Sequence, residues 1–313
     1  MTDPMSGAND DARAIDVAGF VDIAGEAQWL SVRGADIANP AILVLSGPGV
    51  AFSAMAPIFA AWEAHLTVVN WDQPYAGATY DRHGAPADYD FERLARDAAG
   101  AAEAALARLG ARRLAVLGIS GGSIVGLKLA KARPDLVSAY VGTGQVANWA
   151  RQEALAYAAV LARAEVAGDA EALAALRRIG PPPWADIADE ALAGQYANAM
   201  TADEMAAFQA IAPRLAARPG HDVRAVATAA FARLRPQFAA FDAADLGTDF
   251  QVPMIFLQGE HDLRTATAEV EAYAARLKAP SIVFEHLPGG GHSAYLTEDF
   301  RARLVAHLGS LPA

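Results

Sequence analysis

The arrangement of apolar and polar positions predicts strands that alternate with helices along most of the chain. Two alternating segments, 19–23 and 28–32, predict a hairpin that turns near Gly25. Short, mostly apolar runs predict buried strands at 41–45, 66–71, 114–117, 136–141, 252–257 and 281–285. Helical periodicity predicts helices at 54–65, 91–109, 123–132 and 297–308, and another that ends at Leu277. This order indicates an α/β fold with a mostly parallel sheet, helices on both of its faces and an antiparallel hairpin at its edge.

One long segment interrupts the alternation. Residues 143–247 are rich in alanine, show helical periodicity, contain no convincing strand and are broken by three prolines at 181–183. We therefore expect a core domain formed by residues 1–142 and 248–313, with a helical cap domain inserted at 143–247, termed the cap segment. Such an insertion lies over the carboxyl ends of the strands, where open α/β sheets bind ligands. Most of its larger aromatic residues are expected to pack the cap itself, with a minority lining the pocket: Trp149, Tyr157, Trp184, Tyr196 and Phe208.

The most informative motif lies between the strand at 114–117 and the helix that follows it. The residues at 118–122 read Gly-Ile-Ser-Gly-Gly, which matches the Gly-x-Ser-x-Gly pattern of a nucleophile elbow. The turn is too tight for side chains beside the serine, and Gly118 and Gly122 meet that requirement. The motif predicts that the hydroxyl of Ser120 is exposed above the sheet as a nucleophile.

A serine hydroxyl needs a base, which is usually a histidine. We favour His292, because it follows three glycines at 289–291 directly after the last predicted strand, and such a loop can carry an imidazole to the elbow. The other histidines lie in predicted helices or strands, in polar loops or beside the candidate acid: His65, His83, His221, His261, His286 and His307.

The base in turn needs an acid to orient it. Glu260 and Asp262 both follow the penultimate predicted strand. We favour Asp262, because the loop must leave the strand before it can turn toward the histidine, and we expect Glu260 to cap or pair locally. The order Ser120, Asp262, His292 is that of the alpha/beta-hydrolases.

The negative charge that develops on an attacked carbonyl needs fixed hydrogen-bond donors. The backbone N–H of Gly121, next to the nucleophile, is one expected donor. The second should come from the loop after the strand at 41–45, where Ser-Gly-Pro-Gly occupies 46–49 and Gly47 presents its N–H most openly.

Three of these motifs resemble the proline iminopeptidase branch of the alpha/beta-hydrolases. Residues 45–49 read Leu-Ser-Gly-Pro-Gly and residues 71–79 read Trp-Asp-Gln-Pro-Tyr-Ala-Gly-Ala-Thr, where the branch carries His-Gly-Gly-Pro-Gly and Asp-Gln-Arg-Gly-x-Gly-x-Ser. The elbow is the third motif, and Gly-x-x-Asp and Gly-His near the C-terminus match Asp262 and His292. The resemblance covers about 19–145 and 248–310, and it implies release of N-terminal proline from peptides.

Four positions depart from that branch. Leu45 and Ser46 replace its histidine and its next glycine, Pro74 replaces an arginine, and Gly121 replaces the bulky residue that usually follows the nucleophile. Members of the branch also read a free N-terminal amine with cap carboxylates. No acidic residue of the cap segment can be matched to that role from the sequence: Glu153, Glu165, Glu171, Asp186, Glu190, Asp203 and Glu204. A carboxylesterase acting on small esters therefore stays an alternative. An acidic pocket near Ser120 would favour the peptidase, and an apolar pocket would favour the esterase.

Composition narrows the classes of function. The formal net charge of −11 argues against a nucleic-acid partner, and no uncharged run of about 18 residues predicts a membrane span. The chain has no cysteine, which excludes disulfides, thiolate metal sites and a cysteine nucleophile. No metal motif occurs, and neither a metal nor another cofactor is expected. The polar residues at 1–11 lack the pattern of a signal peptide, so we expect a frayed tail and a cytoplasmic protein.

The sequence thus predicts a serine hydrolase with a triad of Ser120, Asp262 and His292 and oxyanion donors at Gly47 and Gly121. Its substrate would be a small molecule or a short peptide. A non-catalytic binding protein on the same fold is a lesser alternative, since a fold alone does not determine a function. The natural substrate, the oligomeric state and the motion of the cap stay open.

Overall fold

A computed structural model describes residues 5–6, 13–214 and 222–311 of the 313-residue chain. Within these residues the sheet has nine strands: β1 (Met5–Ser6), β2 (Ile15–Ile23), β3 (Glu26–Gly34), β4 (Ala41–Leu45), β5 (Thr67–Asp72), β6 (Leu114–Ile119), β7 (Val137–Thr143), β8 (Met254–Gly259) and β9 (Ile282–Leu287). Of the tail expected to fray at 1–11, only β1 is described, and it pairs with β2. His221 lies outside the described residues.

Ten α-helices occur in the same described ranges. They are α1 (Gly77–His83), α2 (Phe91–Leu109), α3 (Gly122–Ala132), α4 (Trp149–Ala167), α5 (Ala170–Ile179), α6 (Ile187–Ala197), α7 (Ala202–Ile211), α8 (Val223–Ala239), α9 (Thr267–Ala274) and α10 (Glu298–Gly309). None of these helices is both long and apolar enough to cross a membrane.

The strand order is β1-β2-β3-β5-β4-β6-β7-β8-β9. The pairs β1·β2, β2·β3 and β3·β5 are antiparallel, and every later pair is parallel. The predicted α/β fold, with its parallel sheet and antiparallel edge hairpin, is confirmed. Because β4, β6, β8 and β9 run in one direction, the loops that follow them lie at the same edge of the sheet.

The core lies on both faces of this sheet. Leu43 and Leu45 belong to one hydrophobic cluster, whereas Ile42 and Val44, which alternate with them, belong to a second. Successive side chains of a strand point to opposite faces, so a strand that is buried on both sides reads as a continuous apolar run. This explains why the central strands could be recognised in the sequence.

The helix predicted at 54–65 is wrong. That segment forms turns and one short 3-10 helix, Ala56–Ile58, held by bonds to the third preceding residue, such as Phe59 N–H to the Ala56 carbonyl. Phe59 and Trp62 are three positions apart and both buried, with ring centroids 4.9 Å apart. Their packing against the core favours the tighter winding over an α-helix. The short α1 was not predicted, and α9 ends at Ala274, before Leu277.

The described part of the cap segment is helical, from α4 to α8, with its own cluster of buried residues that includes Tyr157, Leu176 and Trp184. Its two ends lie side by side. Ala243 N–H donates to the Ala147 carbonyl at 2.7 Å, and the Asn148 amide donates to Asp242 Oδ2 at 2.7 Å. The helices therefore leave and rejoin the core through a narrow paired neck.

Candidate active site

Ser120 lies in the sharp turn between β6 and α3, as the elbow motif predicts. Its φ of +54° is in the left-handed region, which a residue with a side chain seldom adopts. Its backbone N–H donates to the Thr143 carbonyl at 3.1 Å, and its carbonyl accepts from the Ser123 hydroxyl at 2.6 Å. The turn is thus held from both sides, and the Ser120 side chain projects from the carboxyl edge of the sheet.

The two glycines that flank the elbow are required by close backbone contacts. A Cβ on Gly118 would lie 2.6 Å from the Cα of Ser123, and one on Gly122 would lie 2.1 Å from the carbonyl oxygen of Leu45. Both distances are far below van der Waals contact. The glycines let the elbow pack directly against β4 and against its own helix.

The structure brings Ser120, His292 and Asp262 together, although 172 positions of sequence separate the first two. His292 Nε2 lies 3.1 Å from Ser120 Oγ, and His292 Nδ1 lies 3.1 and 3.0 Å from Asp262 Oδ1 and Oδ2. A neutral imidazole whose Nδ1–H donates to the carboxylate leaves Nε2 free to accept the serine proton. The distances have the geometry that general-base activation of a hydroxyl requires.

Asp262 is buried and surrounded by donors. Its Oδ1 accepts from the backbone N–H groups of Arg264 and Thr265 at 2.9 Å each, and its Oδ2 accepts from the Gln258 amide at 2.8 Å and the Thr265 hydroxyl at 2.6 Å. Burial alone would raise the pKa of Asp262. The charge of His292 and the hydrogen bonds from His292 and Thr265 outweigh burial, so the pKa lies below its ordinary value. The carboxylate is thus kept ionised under the imidazole.

In the described ranges, Glu260 makes no hydrogen bond or ion pair with His292. It is exposed, accepts from the Gly289 N–H at 3.3 Å and lies 4.0 Å from the His261 imidazole. The expectation that it pairs locally agrees with these contacts.

The two expected oxyanion donors face the same space beside Ser120. Within the part of the chain that the structure describes, the one atom outside its own neighbours that a Cβ on Gly47 would approach is the backbone nitrogen of Gly121, at 3.9 Å, so the two backbone segments adjoin with open room between them. Among the described residues, neither the Gly47 nor the Gly121 N–H donates to a backbone or side-chain acceptor. Both N–H groups are therefore available to a carbonyl oxygen that is bound at Ser120.

Gln73 holds the loop at 46–49 in place, a role that the sequence did not indicate. Its buried side-chain amide donates to the Ser46 carbonyl at 3.1 Å, the Ser46 hydroxyl at 2.9 Å and the Gly47 carbonyl at 3.1 Å. Gln73 lies just after β5, in the Asp-Gln pair that carried part of the family resemblance. The pair was visible in the sequence, but its function depends on a contact between two separate loops.

Other missed residues surround the imidazole. Thr265 lies 3.3 Å from His292 Nδ1 through its hydroxyl, in addition to its bonds to Asp262. Gly144 has φ +53°, and a Cβ there would lie 2.9 Å from His292 Cε1. Only a glycine fits beneath the ring at this position. The local spacing of Asp262 and Thr265 was a usable signal, whereas the contact of Gly144 with a residue far along the chain was not.

Helix α8 of the cap segment covers the loop at 46–49, which carries the expected oxyanion donor Gly47. A Cβ on Gly49 would lie 2.6 Å from the Cα of Ala227, and one on Gly121 would lie 2.9 Å from the ring of Phe238. The Phe238 ring contacts three aromatic neighbours, Trp149 at 4.6 Å, Phe91 at 5.0 Å and Phe231 at 5.2 Å between centroids. The missing side chain at Gly121 is thus replaced by an aromatic ring from the cap segment.

A cavity of about 440 Å³ lies within the cap segment, between aromatic rings and carboxylates. Trp149 and Trp184 form part of its wall, together with Glu153, Glu190 and Arg235. Glu153 is paired with Arg264 at 2.7 Å, and Glu190 is paired with Arg235 through one oxygen. The other oxygen of Glu190 is buried without a hydrogen-bond partner among the described residues. The cavity is therefore aromatic, with carboxylates that are largely neutralised by arginines.

Tyr157, Trp184 and Tyr196 pack in the cap segment's own hydrophobic cluster, whereas Trp149 belongs to a cluster of the core, and both tryptophans also line the cavity. Tyr157 and Trp184 are buried with ring centroids 6.1 Å apart, and the Tyr157 hydroxyl donates to the Leu176 carbonyl. Among the described residues, no group of three or more His, Cys, Asp or Glu side chains is placed to hold a metal ion.

Comparisons with known proteins identify the family. A model of the alpha/beta hydrolase family matches residues 42–307. A probable aminopeptidase of Bacillus subtilis (strain 168) is 27% identical over 283 residues, which cover 87% of this chain and 89% of that protein.

Solved structures with the same fold include peptidase-related and esterase proteins. A proline iminopeptidase-related protein of Thermus thermophilus has a TM-score of 0.68 and 22% identity, covering 95% of this chain and 98% of that one. An esterase from Rhodococcus sp. ECU1013 has a TM-score of 0.60 and 16% identity, covering 96% and 99%. The predicted fold and superfamily are confirmed, and the chain belongs to the alpha/beta hydrolase family.

Proposed function

We propose that this protein is a serine hydrolase that works through an acyl-enzyme, and that its substrates are peptides or peptide-like amides with a small N-terminal residue such as proline. The observation that carries the serine mechanism is the continuous bonding from Ser120 Oγ through His292 to the buried Asp262. In this proposal Ser120 is the nucleophile, His292 is the base and Asp262 orients the base.

In the first step, Ser120 Oγ attacks the substrate carbonyl carbon while His292 Nε2 takes the hydroxyl proton. The carbonyl oxygen becomes an oxyanion, which the N–H groups of Gly47 and Gly121 stabilise. Asp262 stabilises the imidazolium through Nδ1–H. When the C–N or C–O bond breaks, His292 gives its proton to the leaving nitrogen or oxygen, and the acyl group stays on Ser120.

In the second step, water replaces the leaving group. His292 Nε2 takes a proton from the water, whose oxygen attacks the acyl carbon, and the same N–H groups hold the second oxyanion. Collapse of the intermediate returns the proton to Ser120 Oγ and releases the carboxylic acid. No cofactor is needed for either step.

The choice of an aminopeptidase rests on the resemblance of the motifs and on the similarity to a probable aminopeptidase and a proline iminopeptidase-related protein. A free N-terminal ammonium requires an acceptor, and the unpaired oxygen of Glu190 in the cap cavity is such an acceptor. Trp149 lines that cavity, and its ring packs against Phe238, which lies against Gly121 beside the elbow.

A carboxylesterase is the second candidate, and a specific observation favours it. Both carboxylates of the cap cavity are already paired with arginines, Glu153 with Arg264 and Glu190 with Arg235. An ester substrate makes no demand for a free carboxylate, and the aromatic walls of the cavity would suit an apolar acyl or alcohol group.

One experiment tests both levels of the proposal. The purified protein is treated with a fluorophosphonate probe, and aminoacyl arylamides are compared with short- and medium-chain aryl esters. Labelling at Ser120, with prolyl arylamide hydrolysed far faster than any ester, supports the aminopeptidase. Labelling with ester hydrolysis alone supports the esterase, and no labelling of Ser120 would contradict the serine mechanism.

A matched pair of variants sharpens the substrate assignment. Glu190→Gln should raise KM for the prolyl arylamide while leaving ester hydrolysis unchanged, because only the amide substrate carries an ammonium. Asp189→Asn, which changes the adjacent and more exposed carboxylate, is the control. An equal effect of Glu190→Gln on both substrates would argue that this carboxylate serves only the structure of the cap.

A further inference from the structure

A buried carboxylate of the cap segment touches the loop that carries His292. Glu204, in the first turn of α7, is fully buried, and its Oε1 accepts from the Gly291 N–H at 2.8 Å. Gly291 is the residue directly before His292. The other oxygen, Oε2, accepts from the Thr201 N–H at 2.9 Å.

The contact between Glu204 and the histidine loop is tight. A Cβ on Gly291 would lie 2.9 Å from Glu204 Oε2 and 3.2 Å from Thr201 Cγ2. Tyr295, three residues after His292, is half-buried near the same carboxylate, and desolvation together with the charge of Glu204 raises the pKa of Tyr295 to about 12. The start of α7 is therefore packed against both sides of His292 along the chain.

The histidine loop has a second support on the core side. His261 N–H donates to the Gly290 carbonyl at 2.7 Å, and a Cβ on Gly259 would lie 2.2 Å from the Gly291 carbonyl oxygen. The loop is thus held between the Asp262 loop on one side and Glu204 on the other. The core holds the loop through the Gly290 carbonyl and, by way of Glu260, through the Gly289 N–H, whereas Glu204 holds the Gly291 N–H directly before His292.

We propose that Glu204 is a positioning residue for His292, through which the cap segment holds the imidazole at its distance from Ser120. This inference rests on the proposed serine mechanism. A buried carboxylate that bonds a backbone N–H makes a strong, directional contact. Displacement of α7 would release Gly291 and let the imidazole move away from Ser120, so catalysis depends on how the cap is seated.

Glu204 also has a role inside its own helix, which the experiment must separate from positioning. Thr201 and Glu204 form a reciprocal capping box, in which the Thr201 hydroxyl accepts from the Glu204 N–H at 3.4 Å. Thr201→Ala removes that cap and leaves the Glu204 carboxylate bonded to Gly291. Glu204→Ala removes both interactions.

The test compares these two variants in turnover and in thermal stability. Both should lower Tm, but Glu204→Ala should lower kcat by about tenfold or more, since small misplacement of a catalytic group costs up to about 100-fold. Thr201→Ala should stay within about twofold of the native kcat, and KM should change little in either. Equal kcat for the two variants would overturn the proposal. If Glu204→Ala does not fold, Glu204→Asp keeps the charge and shortens the reach, with the same expected loss.

A measurement that is independent of substrate separates failure of this inference from failure of the proposed function. In the NMR spectrum, the Nδ1 proton of His292, assigned by its absence in His292→Ala, reports the bond to Asp262. That signal should be sharp in the native protein and in Thr201→Ala, and broadened or lost in Glu204→Ala. An unchanged signal in Glu204→Ala would refute positioning, whether or not any substrate is hydrolysed.

Discussion

The core and the cap segment each place a buried carboxylate near the site, and their surroundings shift the pKa of the two carboxylates in opposite directions. On the core side, Asp262 has two backbone N–H donors, an amide, a hydroxyl and His292, and its pKa lies below the ordinary value. On the cap side, Glu153 has Arg264 as its main partner, and burial leaves its pKa above the ordinary value. Burial acts on both groups alike, so the supply of donors decides the sign.

Arg264 links the two carboxylates. Its backbone N–H donates to Asp262, while its guanidinium pairs with Glu153 and lies 4.3 Å from the centre of the Trp149 ring. The core side takes its donors from β8, from the loop that follows β8 and from His292, whereas the cap side depends on one long side chain that crosses between the two parts. We therefore expect substitutions around Asp262 to affect the chemical step, and substitutions around Glu153 and the cap cavity to affect stability and substrate choice.

The largest effect is expected from removing the nucleophile on the core side. Ser120→Ala and His292→Ala should each lower kcat by about 10⁶, and together by no more, because the pair acts as one unit. Circular dichroism should show an unchanged fold. A kcat of the purified Ser120→Ala variant within about tenfold of the native value would place the nucleophile elsewhere.

The second test compares two carboxylates of the same loop. Asp262→Asn should lower kcat by about 10⁴, since an asparagine stabilises the wrong imidazole tautomer. Glu260→Gln is the matched control, because Glu260 is exposed and its carboxylate accepts from the Gly289 N–H and lies near the His261 imidazole, and it should retain nearly native kcat. If Glu260→Gln is the inactive variant, the acid has been assigned to the wrong residue.

The third test concerns the point where the two parts touch at Gly121. Gly121→Ala places a Cβ 2.8 Å from Pro48 Cδ and 2.9 Å from the Phe238 ring, and it should cost about 1–3 kcal/mol of the free energy of unfolding. Combining it with Phe238→Leu should recover part of that loss, which a double-mutant cycle in denaturant would measure. Simple additivity would mean that Phe238 does not occupy the space beside Gly121.

The smallest effect is a difference in how stability depends on pH. The pKa of Glu153 is raised above 4.5, so its contribution to stability is lost as pH rises from that value through the native pKa. The pKa of Asp262 is lowered below 3.8, so its contribution is present above 3.8 and is lost as pH falls through the native pKa.

Thermal melts across acidic pH check this contrast. The Tm of the native protein relative to Glu153→Gln should fall as pH rises, whereas its Tm relative to Asp262→Asn should rise. Slopes of the same sign for the two variants would contradict pKa shifts of opposite direction in Glu153 and Asp262.

The fold and the reacting groups could be predicted from the sequence because their signals are local. A strand that is buried on both faces is a continuous apolar run, and β4 at Ala41–Leu45 agrees with the predicted bounds. The elbow glycines, and the histidine after a glycine loop, are likewise properties of a few consecutive residues. The roles of Ser120, Asp262, His292, Gly47 and Gly121, and the division into two domains, stay predictions that the variants above would test.

The supporting groups could not be predicted, because each acts across the fold. Gln73 holds a loop 26 residues earlier, and Glu204 bonds a glycine 87 residues later. In the sequence Glu204 is one acidic residue among several on a helix, typical of a solvated face. The helix predicted at 54–65 failed for a related reason, since tertiary packing of Phe59 and Trp62 determines that segment's winding.

Three glutamines form a hydrogen-bonded chain that runs from Asp262 toward the cap segment. Asp262 accepts from Gln258, whose oxygen accepts from the Gln145 N–H, and Gln152 in turn donates to the Gln145 carbonyl. Amides bond well but do not take up or release protons near neutral pH. This chain of amides therefore helps to fix the position of Asp262 relative to the cap segment, but its members cannot carry a proton. In the proposed mechanism, the proton that His292 takes from Ser120 therefore passes to the leaving group and not to these amides.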